Sequence, residues 1–398
     1  MPYNGLFYLL LALSLLSIPL LSLDNRPPLV DLSLMVVDLK CNREQGIKVC
    51  EIQPASMSRF KSNGYDNRAG IEIVDHLLEL VDRELGEQAR YFIGGICDPV
   101  FCEKALDHGW QKMSCLAELV HRQGHQPLQP GQLLSNQDHG ILYVPASQHG
   151  FFSELHRFAP HLLLIDEKTV PALLDKWQVH QLISQHPQLA PLRPKAQLYP
   201  TEKAAGLAAQ IIKEIPSPLL VIKPTCSTKG QGVVIVSQAQ LKPMLELLFG
   251  ANRKDLSHHN DLSYGYWGLK ADSTFLVEEH IASDPFAIPF LKGALFDPTL
   301  RVVVGLVRRQ GEEMEVVPLG KYWKFPMKHL ASLATLNERH KSCGDHPYNG
   351  LVDEETWKRV ETQLFPLLPL FYEQVAAIHG QPKLRESPWN GKKQACPR

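Results

Sequence analysis

Residues 219–237 read LLVIKPTCSTKGQGVVIVS. Two runs of aliphatic and β-branched residues, Leu219–Lys223 and Gly232–Ser237, flank a polar loop, Thr225–Gln231. This is the pattern of two strands joined by a turn. Gly230 and Gly232 let the backbone of that loop come close to a ligand. Successive backbone N–H groups in such a loop bind anions, and Lys223 closes the first strand with a positive charge.

Upstream, Ala172–Ser184 has the apolar spacing of a helix and carries Asp175 and Lys176. His186–Pro200, with four prolines, reads as a connector, and Glu202–Ile215 as a helix. Downstream, residues 252–273 are polar and irregular, and Phe275–Glu279 is a strand running into His280 and Ile281. Arg301–Arg308 and Glu313–Leu319 form a hairpin about Gln310 and Gly311, and residues 353–379 read as one long helix.

The first part of the chain alternates strands and helices. Leu32–Lys40 and Ile47–Gln53 are strands around a polar turn. Ile71–Leu85 and Glu103–Gln123 have helical periodicity, and Arg90–Gly94, Ile141–Pro145 and Leu162–Ile165 are short strands. That order points to an open α/β lobe. The reading divides the chain into a hydrophobic segment at 1–28, a leading lobe at 29–170, a pair of lobes at 171–382 and an irregular tail at 383–398.

The net charge of −1 offers no basic field for a polyanion, so nucleic acid is excluded as the expected partner. Eight cysteines without a CxxC pair are too few for a disulfide scaffold in 398 residues and are expected to be reduced, mostly buried thiols. Leu6–Leu23 is apolar except for three serines and a proline, the minimum length of a membrane span. No Lys or Arg precedes it, as an export signal requires. An anchor, an atypical signal and an extension from an upstream start all fit. The expected location is cytoplasmic, with membrane anchoring as the alternative.

The polar cluster at 223–232, the lysine at 176 and the strand end at 278–281 match what ATP requires. A triphosphate needs cations and N–H donors, adenine needs extended backbone, and ribose needs an acidic acceptor. Lys176, Lys223, Ser227, Gly230 and Gly232 are candidates for the phosphates, Glu278, Glu279 and Ile281 for adenine, and Asp284 for ribose. This ordered set resembles the ATP-grasp superfamily: a helix lysine, a V-K-P-type lysine (here Ile222-Lys223-Pro224), a glycine-containing flap and an E-E-x-I hinge. The resemblance covers roughly residues 162–326 and implies an ATP-grasp fold. Phe296-Asp297-Pro298-Thr299-Leu300-Arg301 is similar to the F-D-x-R strand of the tubulin–tyrosine ligase and glutathione synthetase branches.

The resemblance implies a ligase that joins a carboxylate to an amine on a small molecule or peptide, through an acyl phosphate, with ATP and Mg2+. Arg301 then meets the transferring phosphoryl group, and Lys321 or Lys324 lines the acceptor site. An ATP-grasp kinase and a catalytically degenerate nucleotide binder are the alternatives. Each residue also has a plainer reading: Lys176 and Lys223 as solvated cations, Glu279 as a strand cap, Asp284 as a loop acid, Arg301 as an ion-pair partner of Asp297, and Trp323 as packing. The polar residues Ser56, Ser58, Arg59, Tyr65, Asp66 and Asp98 sit where loops contact ligands.

One part of the family pattern is not found in its expected place. The acidic strand pair, ending in E-x-N, that holds magnesium should follow the long helix, but 383–398 has no strand pattern. A truncated gene product, a metal site built on Asp297 with another acid, and a degenerate binder remain open.

Overall fold

The computed structural model describes residues 30–54, 68–85, 90–94, 103–104, 106–108, 111–113, 140–143, 163–227, 230–342, 346 and 348–380. The Leu6–Leu23 run, the 383–398 tail, Thr228, Lys229, Asp98 and the loop from Ser56 to Asp66 lie outside them. In chain order the elements are β1 (Val30–Asn42), β2 (Gly46–Pro54), α1 (Arg68–Leu85), β3 (Arg90–Gly94), β4 (Gln111–Met113), β5 (Gly140–Tyr143) and β6 (Leu163–Leu164). Then come α2 (Val170–Leu173), α3 (Lys176–Gln185), β7 (Ala196–Pro200), α4 (Ala208–Glu214), β8 (Leu219–Lys223), β9 (Val234–Ser237), α5 (Gln238–Phe249), α6 (Leu262–Leu269) and β10 (Thr274–Glu279). The last are β11 (Phe286–Ala287), β12 (Leu295–Phe296), β13 (Thr299–Arg309), β14 (Glu315–Lys324), α7 (Leu336–His340), α8 (Glu354–Gln363) and α9 (Leu368–Gly380).

The class is α+β, helices with antiparallel sheets, plus one parallel sheet. That parallel sheet has the order β4-β3-β5-β6. An antiparallel sheet runs β7-β10-β8-β9 and a second runs β14-β13-β1-β2. The second sheet crosses the boundary drawn from sequence. β1 and β2 fall within 29–170, yet β1 pairs along its length with β13, from Val30 opposite Arg309 to Leu39 opposite Leu300.

Both faces of β1 are covered, which is why its middle, Leu34–Val37, is a continuous apolar run rather than an alternating one. Leu32, Leu34 and Val36 pack with Ile73, Leu77 and Val81 of α1. Met35, Val37 and Leu39 face Val179 and Leu182 of α3 and Leu368 and Phe371 of α9. Cutting Leu34 to Ala would cost about 2–5 kcal/mol. α1 docks so closely that a Cβ on Gly320 would lie 2.3 Å from Ile73 Cγ1. A third core, with Leu220, Ile222, Leu245, Trp267 and Phe275, fills the β7-β10-β8-β9 lobe.

Several elements differ from the sequence reading. The connector at 186–200 contains β7, an edge strand, where Pro200 removes no ladder bond from a neighbour. The irregular stretch 252–273 contains α6, which Asp261 caps by accepting from Ser263 N at 2.8 Å. Strand β4 interrupts the helix expected over 103–123. The helix expected over 353–379 is two helices with a 3-10 turn at Phe365–Leu367, where Pro366 cannot donate to a continuing ladder. Among the described residues, Cys41, Cys50 and Cys226 are free thiols. Burial pushes Cys41 up to about 12 and Cys50 up to about 11.

Among the described residues, no helix is long and apolar enough to cross a membrane.

Candidate functional site

The central sheet builds the site. Tyr322, Arg301, Asp38 and Glu51 are successive register partners across β14, β13, β1 and β2. Direct partners share a face of the sheet, so these four side chains form one row. Lys324 and Gln53 lie two residues along their strands from Tyr322 and Glu51, hence on the same face.

Two carboxylates directly opposite each other repel, and cations compensate. Asp38 accepts from Arg301 Nε at 2.8 Å and Nη2 at 2.9 Å, and from Lys324 Nζ at 3.0 Å. Glu51 Oε1 lies 3.4 Å from Lys176 Nζ. Burial alone would raise the Asp38 carboxyl, but Arg301 and Lys324 hold it well below the usual carboxylate range. Lys324 is lowered, by burial first and then by Arg301. Arg301 therefore pairs with Asp38, not with Asp297 as its plainer reading has it.

Helix α3, packed on the central sheet, and strand β8 of the other lobe bring lysines to the same place. Asp175 caps α3 by accepting from Trp177 N and Gln178 N, which fixes Lys176 at the first helical position. Lys176 donates to the Ser227 carbonyl and lies 3.4 Å from its hydroxyl. Lys223, at the end of β8, is 2.5 Å from Glu278 Oε2 and 3.3 Å from the carbonyl of Cys50 in β2. Arg193 bridges Glu278 Oε1 at 3.0 Å and the Val49 carbonyl at 2.8 Å. Lys176, Lys223 and Ser227 thus meet the Glu51 end of β2.

The remaining candidates are placed differently. The Glu278 side chain is a buried counter-ion for Lys223 and Arg193, and those cations lower its carboxyl against the upward pull of burial. The Glu279 amide donates to Lys195 O at 2.9 Å, its carboxylate accepts from Lys195 N at 2.7 Å, and the His280 amide donates to Leu219 O at 3.0 Å. Ile281, next in that stretch, is 8% exposed. Asp284 accepts from Arg43 N at 3.1 Å and so caps the β1–β2 turn. Gly230 and Gly232 have φ of +68° and +71°. For Gly232 the reason lies inside the protein: a Cβ would sit 2.6 Å from Pro224 Cγ, and Trp267 Nε1 donates to its carbonyl at 2.9 Å. Trp323 is buried against Phe286, and Lys321 lies over the Trp357 ring at 3.7 Å.

Asp297 stands apart from the row, 1% exposed. Lys40 Nζ donates to its Oδ1 at 2.7 Å, and His340 Nδ1 lies 2.9 Å from its Oδ2. The sequence reading passed over Lys40, Arg193 and His340, and it took Glu51 and Gln53 only as the approach to a polar loop. The available signal was an acid in each of two adjacent strands, Asp38 in LMVVD and Glu51-Ile52-Gln53 in VCEIQ.

No family model matches the chain, and no curated protein matches it. Solved structures are similar to it, three of them as follows. The VanG D-Ala:D-Ser ligase from Enterococcus faecalis has 16% identity over 59% of this chain and 56% of its own, with a TM-score of 0.30. The D-cycloserine synthetase DcsG has 13% identity over 48% of this chain and 59% of its own, at a TM-score of 0.26. The D-alanine-D-alanine ligase from Coxiella burnetii has 9% identity over 60% of this chain and 69% of its own, also at 0.26. The chain spans 56% and 59% of the length of the first two. At such TM-scores the likeness assigns no role to any residue of this chain.

Proposed function

We propose that the chain binds ATP in the manner of an ATP-grasp protein and ligates a carboxylate to an amine, with β1 and β2 supplying the metal-binding acids expected after the last helix. The observation that carries this reading is the row Arg301–Asp38–Glu51, with Lys176 3.4 Å from Glu51. Cations for a triphosphate and hard oxygen donors meet at one point. Glu51-Ile52-Gln53 stands in for E-x-N, with the Gln53 amide oxygen in the place of the asparagine.

The donor set suits magnesium, which prefers carboxylate and carbonyl oxygens. A carboxylate has about four acceptor sites; Arg301 and Lys324 fill three on Asp38, leaving one on Oδ1. Asp38, Glu51 and Gln53 would hold the ion, which when bound neutralises phosphate charge. Lys176 and Lys223 position the triphosphate, with Ser227, Gly230 and Gly232 beside it. Arg301 stabilises charge on the γ-phosphoryl group as the substrate carboxylate oxygen attacks phosphorus and the bond to the β–γ bridging oxygen breaks, releasing ADP. The amine then attacks the acyl carbon, loses a proton and expels phosphate. The degenerate-binder reading rested on missing acids, and Asp38 and Glu51 argue against it.

Thermal unfolding of the full chain with ATP, with and without magnesium, tests this. The expected outcome is a rise in Tm with Mg·ATP that Lys223→Ala abolishes, followed by ADP and free phosphate when amino-acid carboxylates and amines are supplied. A folded wild type indifferent to Mg·ATP would overturn the reading.

A further inference from the structure

We propose that His280, Asp297 and His340 form a site for a divalent transition metal, zinc in the first place, that pins α7 to the central sheet. The three residues come from separate elements. His280 follows β10, Asp297 precedes β13, and His340 ends α7.

One ligand atom from each lies within 4.8 Å of the others. The closest pair, His340 Nδ1 and Asp297 Oδ2, is 2.9 Å apart, and His280 Nε2 is 3.5 Å from the same oxygen. Zinc bonds of about 2.0–2.2 Å in tetrahedral geometry put ligand atoms about 3.3–3.5 Å apart. Small side-chain rotations bring the three to that spacing.

Two further observations point to a ligand. His280 Nε2 is buried and has no hydrogen-bond partner, the kind of orphan that a bound ion relieves. The carboxylate is also already oriented. Lys40 Nζ at 2.7 Å and Ser283 N at 2.9 Å hold Asp297 Oδ1, which leaves Oδ2 turned to the two rings. Such outer contacts are what fix ligands around metals.

Two nitrogens and one oxygen suit zinc or its neighbours, whereas magnesium takes oxygen. The site is therefore chemically separate from the row of Asp38 and Glu51, and its existence does not depend on the ATP reading. The Lys40 ammonium opposes a dication, so binding is weaker than at a four-ligand structural zinc site. On metal binding His340 Nδ1 gives up any proton it carries to solvent.

The consequence is mechanical. Asn337 of α7 accepts from Ile235 N of β9 at 2.7 Å, and Lys341, next to His340, lies 3.5 Å from the Gly230 carbonyl and bonds the Ser263 hydroxyl. One face of α7 thus holds the glycine loop, while a metal at His340 fixes its end to Asp297.

The full chain, stripped with chelator and dialysed, is titrated with Zn2+ by calorimetry and with Co2+ by visible absorption. One equivalent of each is expected to bind, with Co2+ giving the ligand-field bands of a low-coordinate nitrogen–oxygen site, and excess Mg2+ is expected not to displace it. His280→Ala and His340→Gln weaken binding at least tenfold, while His258→Gln, on the exposed surface, leaves it unchanged. Failure of the folded wild type to bind, or equal affinity in folded histidine variants, overturns the proposal. If either variant loses its circular dichroism, the wild-type Co2+ spectrum decides: its bands support the site and their absence refutes it.

Discussion

The carboxylate of Asp38 and the guanidinium of Arg301 face each other as register partners of β1 and β13, joined at 2.8 and 2.9 Å across a sequence separation of 263. Both side chains are buried. Removing one charge therefore strands the other. Asp38→Asn is expected to cost about 3–5 kcal/mol in urea unfolding, and Asp38→Asn/Arg301→Met to recover part of that loss. A single-mutant cost below about 1 kcal/mol would show the pair to be solvated rather than buried.

A second prediction concerns the backbone of the glycine loop. Gly232→Ala places a Cβ against Pro224 at a φ of +71°. Such strain costs about 1–3 kcal/mol. Gly206→Ala meets nothing within 4 Å, and its stability is expected to stay within about 0.5 kcal/mol of wild type. Equal effects of the two substitutions would mean that the loop relaxes to accept the methyl group.

The elements with strong periodicity were legible in the sequence. The strand pair at 32–53, the helix at 71–85 and the hairpin around Gly311 need only local pattern to be seen. β7 was hidden by its flanking prolines and α6 by its two glycines, because partner strands and packing decide those segments. At the site, Lys176, Lys223 and Arg301 stood out as cations. Their counter-ions did not, because Glu278 and Asp38 are matched to them by strand pairing and Glu51 by the packing of α3 on the central sheet. Neither is recorded in local sequence.

Acid sensitivity should trace in part to His180. Burial first, then the neighbouring Arg193, lowers its pKa from 6.5 to about 4. The unfolded chain therefore binds the proton more readily between those values, so stability falls as pH drops from about 6.5 to about 4. The shift corresponds to on the order of 3 kcal/mol. His280 and His346 are lowered too, again mainly by burial, and act in the same direction. Wild-type Tm is expected to decline through this window, and His180→Gln to decline less steeply. Parallel profiles would assign the decline to other groups.

Glu51→Gln keeps the shape of the side chain and removes its charge. If Glu51 helps hold magnesium, this variant loses most of the stabilisation that Mg2+ adds to ATP and keeps that of ATP alone. Equal loss under both conditions would place Glu51 in nucleotide binding through Lys176 instead.

The pairing of β1 with β13 also sets a timetable for synthesis. Asp38 leaves the ribosome 263 residues ahead of Arg301, an interval of roughly 13–50 s at ordinary elongation rates. Throughout it, the apolar strand VDLSLMVVDLKCN has β2 on one edge and nothing on the other. Such an open edge invites pairing with another chain. Shielding of the nascent strand, by a chaperone or by slow release, thus becomes a condition for yield, and Arg301 joins Asp38 only after most of the described fold has emerged.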